Sequence, residues 1–144
     1  DIDGLEVIVV VGGNNPHYEE LRATVRDSRF PIRLESNVTN MPELMAWADV
    51  AVSAGGSTIW ELAFMGVPVI GLSRAEQEEM LLQRSTRSGI SIDLGRDRYV
   101  QPSWICELLA DLAHSKERRL AMSRAGRSLV DGLGPDRVLN SMRG

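Results

Sequence analysis

Five short strand-like runs, each followed by a turn cluster and then by helical periodicity, narrow what this chain can fold into. The first, LEVIVVV (5–11), is almost unbroken in apolar, mostly β-branched residues. A strand with one wet face would alternate, so an unbroken run predicts a strand buried on both faces. FPIRL (30–34), VAVS (50–53), VPVIGL (67–72) and ISIDL (90–94) follow at intervals that leave room for a helix. Tyr18, Leu21 and Val25 share one helical face. Met41, Leu44, Met45 and Ala48 form an i, i+3, i+4, i+7 stripe behind Asn40 as N-cap, with Pro42 in the first turn. Gly66 and Pro68 stop the third helix, and Gly89 ends a fourth over 76–88. Beyond these, Pro102 opens a helix striped by Ile105, Leu108, Leu109 and Leu112. Another spans 116–130, and Pro135 begins a last one carrying Val138, Leu139 and Met142. Strand–helix alternation of this kind predicts an α/β domain over 1–144: a doubly wound, Rossmann-like parallel sheet of five to six strands with helices on both faces.

At 144 residues the chain is long enough for one real core, and 43% hydrophobic with 25% charged residues is ordinary for a globular domain. A net charge of −4 argues against general attraction to nucleic acid or to an anionic membrane. No window approaches the roughly 18 apolar residues of a membrane span. The single cysteine, Cys106, excludes an internal disulfide and a Cys-based zinc site. Its place in an apolar helical pattern predicts a small buried filler, consistent with a reducing, cytoplasmic compartment. No His, Asp or Glu spacing resembles a metal site, and no cofactor is expected. The opening at Asp1, with a strand almost at once, leads to the expectation of a piece of a longer protein.

The densest signal is SAGGSTIWELAFMGVPV (53–69), at a strand-to-helix corner. In open α/β sheets ligands bind beyond the carboxyl ends of strands. Gly55 and Gly56 would let a phosphate approach backbone N–H groups, and the following helix adds its positive end. Ser57 and Thr58 carry hydroxyl donors; Glu61, one turn on, suits the two adjacent hydroxyls of a ribose. A plainer reading covers part of this: Thr-x-x-Glu is a capping box, which would explain Thr58 and Glu61 but not Gly55, Gly56 and Ser57 together. GGNNPH (12–17) lacks both the Gly-x-Gly-x-x-Gly pattern and the lysine of a P-loop, so Asn14 and Asn15 fit turn formers as well as ligand contacts. His17 reads as part of a helix start rather than a catalyst; His114 and the run Lys116–Arg119 read as solvated.

From NMPELMAWADVAVSAGGSTIWELAFMGVPVIGL through Glu76 and Gln77, the chain resembles the carboxyl-terminal domain of GT-B fold nucleotide-sugar enzymes. Within that group it is most similar to the UDP-sugar hydrolase of pseudaminic acid biosynthesis and its relatives in spore-coat polysaccharide synthesis. VVVGGNNPHYEEL and LVDGLGPDRV fit the same subfamily. The N-acetylglucosamine transferase of peptidoglycan synthesis is a more distant likeness. The resemblance implies UDP or a UDP-sugar as ligand, its diphosphate over Gly55, Gly56, Ser57 and Thr58 and its ribose on Glu61. Backbone near Val38 and Met41 would read the uracil, and Gly12, Gly13 and Asn14 would line the cleft toward an amino-terminal partner domain. Gln77, with Glu76, would reach the sugar, Glu76 standing where relatives often carry Asn. No catalytic residue is expected here, because the general acid/base belongs to that partner domain. The implied activity is UDP release from a modified sugar by a hydrolase. The alternatives are a UDP-sugar-dependent glycosyltransferase of envelope polysaccharide, a non-catalytic nucleotide-binding module, and a dinucleotide oxidoreductase domain with Glu35 as its acidic residue.

Overall fold

The strand-like runs do become strands in the computed structural model, which describes residues 2–143. In chain order the elements are β1 (Val7–Val11), α1 (Tyr18–Arg26), β2 (Ile32–Ser36), α2 (Met41–Trp47), β3 (Ala51–Ala54), α3 (Thr58–Met65), β4 (Val69–Ser73), α4 (Glu76–Arg87) and β5 (Ser91–Arg96). A 3-10 turn (Asp97–Tyr99), α5 (Pro102–His114), α6 (Lys116–Leu129) and α7 (Gly134–Arg143) complete the described chain. It divides into two compact units, one ending at Met41 and the other beginning at Pro42.

Every described strand pairing is parallel, as the alternation requires, but the strands pair as two sheets rather than one. In the first unit β1 lies beside β2, with Val7 opposite Ile32 and Val11 opposite Ser36. The second strand therefore starts two residues later than FPIRL suggested. Pro31 has no N–H to give the ladder; its carbonyl instead accepts the Val7 N–H at 3.1 Å, while Phe30 stays exposed. In the second unit the order is β3-β4-β5. Only the central strand β4 matches the expected double burial, with Val69, Ile70 and Ser73 all fully buried. Val10 on β1 and Val52 on β3 remain exposed.

Around β4 the second unit builds its core. α3 turns Ile59, Leu62 and Ala63 inward and packs on β3, β4 and α6; α4 brings Leu82 and Ser85 onto β4 and β5. The buried hydroxyls are satisfied: Ser85 Oγ donates to the Leu82 carbonyl at 2.8 Å and meets Ser91 Oγ of β5 at 2.7 Å. Gly66 ends α3 in the left-handed region (φ 76°), with the Val67 N–H reaching back to the Leu62 carbonyl at 2.9 Å. α6 reaches α3 this closely because of Gly126, where a Cβ would lie 2.6 Å from the Ala63 carbonyl oxygen. Two expectations fail on the helices. Cys106 is exposed, on the solvent side of α5, whose one fully buried residue is Leu112. The apolar stripe of α7 is uncovered, with Val138, Leu139 and Met142 all exposed. Among the described residues no helix is long and apolar enough to cross a membrane.

Candidate functional site

β3 ends at Ala54 and α3 starts at Thr58, so Gly55, Gly56 and Ser57 alone turn the corner. The Gly55 N–H donates to the Leu72 carbonyl at 2.8 Å, carrying the β3–β4 ladder into the turn. The Trp60 N–H then closes the first helical turn onto the Ser57 carbonyl at 2.9 Å. The two glycines do different work. Gly55 is buried, and a Cβ there would sit 2.6 Å from the Glu78 carbonyl oxygen, so the approach of α4 by itself requires glycine at this position. At Gly56 a Cβ would meet nothing within 4 Å. No packing demand explains that second glycine, and the space beside it is open.

The capping box does not form. Ser57, not Thr58, occupies the N-cap position, its backbone is helical (φ −61°, ψ −25°), and no side chain supplies a cap hydrogen bond. A capping box needs the cap residue extended, so that its hydroxyl can reach the third N–H and the glutamate can reach back. With Ser57 already helical, neither reach is made. Ser57, Thr58 and Glu61 are exposed and their side chains form no hydrogen bond among the described residues, which leaves all three uncommitted.

The first turn of α4 abuts this corner through the Gly55–Glu78 approach. Of its carboxylates, Glu79 takes both Nε and Nη2 of Arg96 on one oxygen, at 3.1 and 3.0 Å. Glu78 accepts the Arg74 backbone N–H at 2.7 Å and Arg74 Nη2 at 3.2 Å. That backbone donor, seconded by the guanidinium, holds the Glu78 carboxyl below its ordinary pKa against the opposing effect of burial. Glu76 and Gln77 are exposed and unbonded within the described chain.

The remaining expected residues belong to the first unit. The Asn15 N–H closes a turn onto the Gly12 carbonyl at 3.0 Å, and Asn15 Oδ1 accepts the His17 N–H at 2.8 Å, so Asn15 is a turn former. His17 sits at the N-cap position of α1 without capping it, its Nδ1 3.2 Å from Glu20 Oε2. Gly12 and Asn14 are exposed, and Gly13 lies directly against the Asn37 side chain. That contact sets the β1 loop beside the loop holding Val38, both within this unit; Val38 and Met41 are half-buried. Sequence reasoning missed Asn37, which adopts φ 53°, a conformation Asn tolerates better than most residues. It also missed Arg74 and Glu78: Arg74 lies outside α4, so no helical spacing signalled their contact. A groove of about 650 Å³ on the second unit, lined by Trp60, Leu81, Arg84, Leu129 and Arg137 among others, contains none of the expected site residues.

Residues 3–132 match the glycosyltransferase family 28 C-terminal domain. The chain belongs to that family. Over 138 residues this family 28 domain is 30% identical to the spore coat polysaccharide biosynthesis protein SpsG of Bacillus subtilis (strain 168), covering 96% of this chain and 40% of that protein. Over 127 residues it is 28% identical to the UDP-N-acetylglucosamine–N-acetylmuramyl-(pentapeptide) pyrophosphoryl-undecaprenol N-acetylglucosamine transferase of Marinobacter nauticus, covering 85% of this chain and 35% of that enzyme. The chain thus spans two fifths or less of the length of these relatives. Its fold is that of the carboxyl-terminal, Rossmann-like domain of GT-B glycosyltransferases. WaaG, a glycosyltransferase involved in lipopolysaccharide biosynthesis, superposes with a TM-score of 0.67 at 18% identity, covering 95% of this chain and 38% of WaaG. The spinosyn forosaminyltransferase SpnP gives 0.65 at 17% identity, covering 96% and 33%. The hydrolase and pseudaminic acid specifics find no support in these comparisons; the family carries a glycosyltransferase name, and the transferase alternative fits it better.

Proposed function

We propose that this chain is the UDP-binding half of a nucleotide-sugar-dependent glycosyltransferase of polysaccharide or cell-envelope synthesis. One observation carries the reading. At the α3 corner a glycine that no packing explains stands beside two hydroxyls and, one turn on, a carboxylate, these three side chains exposed and uncommitted, in a family 28 domain. The diphosphate lies over Gly56, Ser57 and Thr58, whose N–H groups at the helix start have no intrahelical acceptor. Glu61 takes the ribose hydroxyls, and Glu76 and Gln77 face the sugar. An amino-terminal domain of the same protein supplies the base and the acceptor.

In the reaction the acceptor oxygen bonds to the anomeric carbon as the bond from that carbon to the diphosphate oxygen breaks. The acceptor proton goes to the base of the partner domain, and UDP leaves. Negative charge grows on the departing diphosphate. Fixed N–H donors and the positive end of α3 meet that charge without having to reorganise. This half therefore works by stabilising the leaving group.

Calorimetric titration of the chain with UDP and ADP, repeated on Glu61→Ala, tests the reading. UDP preferred over ADP, and weakened by the substitution, supports it. Equal binding of both nucleotides refutes the preference for UDP, and a Glu61→Ala variant indistinguishable from wild type refutes the assignment of Glu61.

A further inference from the structure

Resting on that UDP-sugar reading, we infer that Glu78 is a positioning residue that sets the sugar-side wall of the site, by clasping Arg74 and seating the first turn of α4 against Gly55. The chain leaves β4 through Ser73, fully buried, and enters α4 at Ala75 in an extended conformation (φ −134°, ψ 161°). Alanine has no side chain with which to cap a helix, and none is supplied at that position. Glu78 does the holding instead. One carboxylate oxygen accepts the Arg74 backbone N–H at 2.7 Å, and the other accepts its guanidinium at 3.2 Å. The Glu78 side chain is 20% exposed against 66% for Arg74, so the carboxylate is the anchored partner and the arginine the outer one.

The same residue touches the corner from its backbone side. Its carbonyl oxygen lies 2.6 Å from where a Cβ on Gly55 would stand, so α4 can seat this closely only because residue 55 is glycine. Glu76 and Gln77 precede Glu78 on that turn, exposed and unbonded, and their distance from the phosphate corner is set by how the turn is held. The corner does not depend on the clasp. Gly55 is tied to the Leu72 carbonyl of β4, and the Trp60 and Ile59 N–H groups close α3 onto Ser57 and Gly56. Loosening the Arg74–Glu78 clasp should therefore move the sugar wall and leave the diphosphate and ribose contacts in place. A helix-start acid that only complements the helix dipole would have no such selective effect.

The test titrates the full chain with UDP and with UDP-N-acetylglucosamine, a donor named for one of its relatives, in wild type, Glu78→Ala and Glu78→Gln. Glu78→Ala should weaken UDP-N-acetylglucosamine relative to UDP by about tenfold, the scale of a lost charge-assisted hydrogen bond, with UDP itself within about twofold. Glu78→Gln keeps a neutral acceptor for the Arg74 N–H and should recover part of the ratio while remaining folded. Equal weakening of both ligands makes the clasp merely structural and overturns the inference, as does an unchanged ratio in both variants. A wild-type chain that binds neither ligand overturns the UDP reading itself, and the clasp's role falls with it.

Discussion

Replacing each glycine of the corner with alanine separates packing from ligand approach. At Gly55 the new Cβ would lie 2.6 Å from the Glu78 carbonyl oxygen, 3.1 Å from its carbonyl carbon and 3.2 Å from its Cβ. Two of those three atoms are backbone, so relief requires α4 to shift by several tenths of an ångström rather than one rotamer to turn. Overpacking of that kind costs about 1–3 kcal/mol. For a chain of this size a loss of 1 kcal/mol lowers the Tm by roughly 3–5 °C, so Gly55→Ala should lose about 3–15 °C. At Gly56 the Cβ meets nothing within 4 Å and the backbone is not in the left-handed region, so nothing in the folded chain opposes the substitution. A stiffer unfolded chain should leave the Tm unchanged or raise it by a few degrees. Binding should move the other way. The Gly56 methyl would occupy space that the proposed diphosphate needs, and UDP affinity should fall at least about tenfold, the equivalent of 1.4 kcal/mol. Scanning calorimetry gives the first quantity and titration calorimetry the second. A Gly56→Ala variant with wild-type UDP affinity would refute the phosphate role of the corner. A Gly55→Ala variant as stable as wild type would refute the packing account.

Three further outcomes follow from the core and the surface. Leu82→Ala should cost about 2–5 kcal/mol, because Leu82 is fully buried under α4 against β4; denaturant unfolding measures it. Glu78 has a folded-state pKa below its ordinary value, so its contribution is present above the usual carboxylate range and is lost as pH falls through the folded-state pKa. Tm against pH should accordingly fall less steeply on the acid side in Glu78→Gln than in wild type; parallel curves would contradict the assignment. Cys106 is exposed, so the native chain should react with a thiol reagent as fast as the unfolded one, to within about an order of magnitude.

Much of the architecture was readable because periodicity reports which residues need burial, and that is a local property. The alternation of strands and helices, the stop at Gly66, the helix opened by Pro102 and the parallel pairing all follow from it. What depends on neighbours was not readable. LEVIVVV carries the pattern of a central strand, yet Val10 is exposed, because a hydrophobic run states a demand for cover and not which element supplies it. The same applies to the uncovered stripe of α7. At the corner, Gly-Gly-Ser-Thr was visible as a unit, but the division of labour within it was not. Gly55 answers to a carbonyl oxygen 23 residues away in the chain, and only coordinates reveal that approach. The capping box failed for a related reason: Thr-x-x-Glu is a permissive pattern, and the helical backbone of Ser57 moves the cap position one residue earlier.

The most direct test of the proposed UDP site is to titrate UDP into isotope-labelled chain and follow the backbone amide resonances. The expected result is a set of shifts centred on Gly56, Ser57, Thr58 and Glu61, with smaller ones at Glu76 and Gln77. Shifts centred instead on the groove lined by Trp60, Leu81, Leu129 and Arg137, with the amides of Gly56 to Thr58 unmoved, would contradict the assignment of the α3 corner as the diphosphate site.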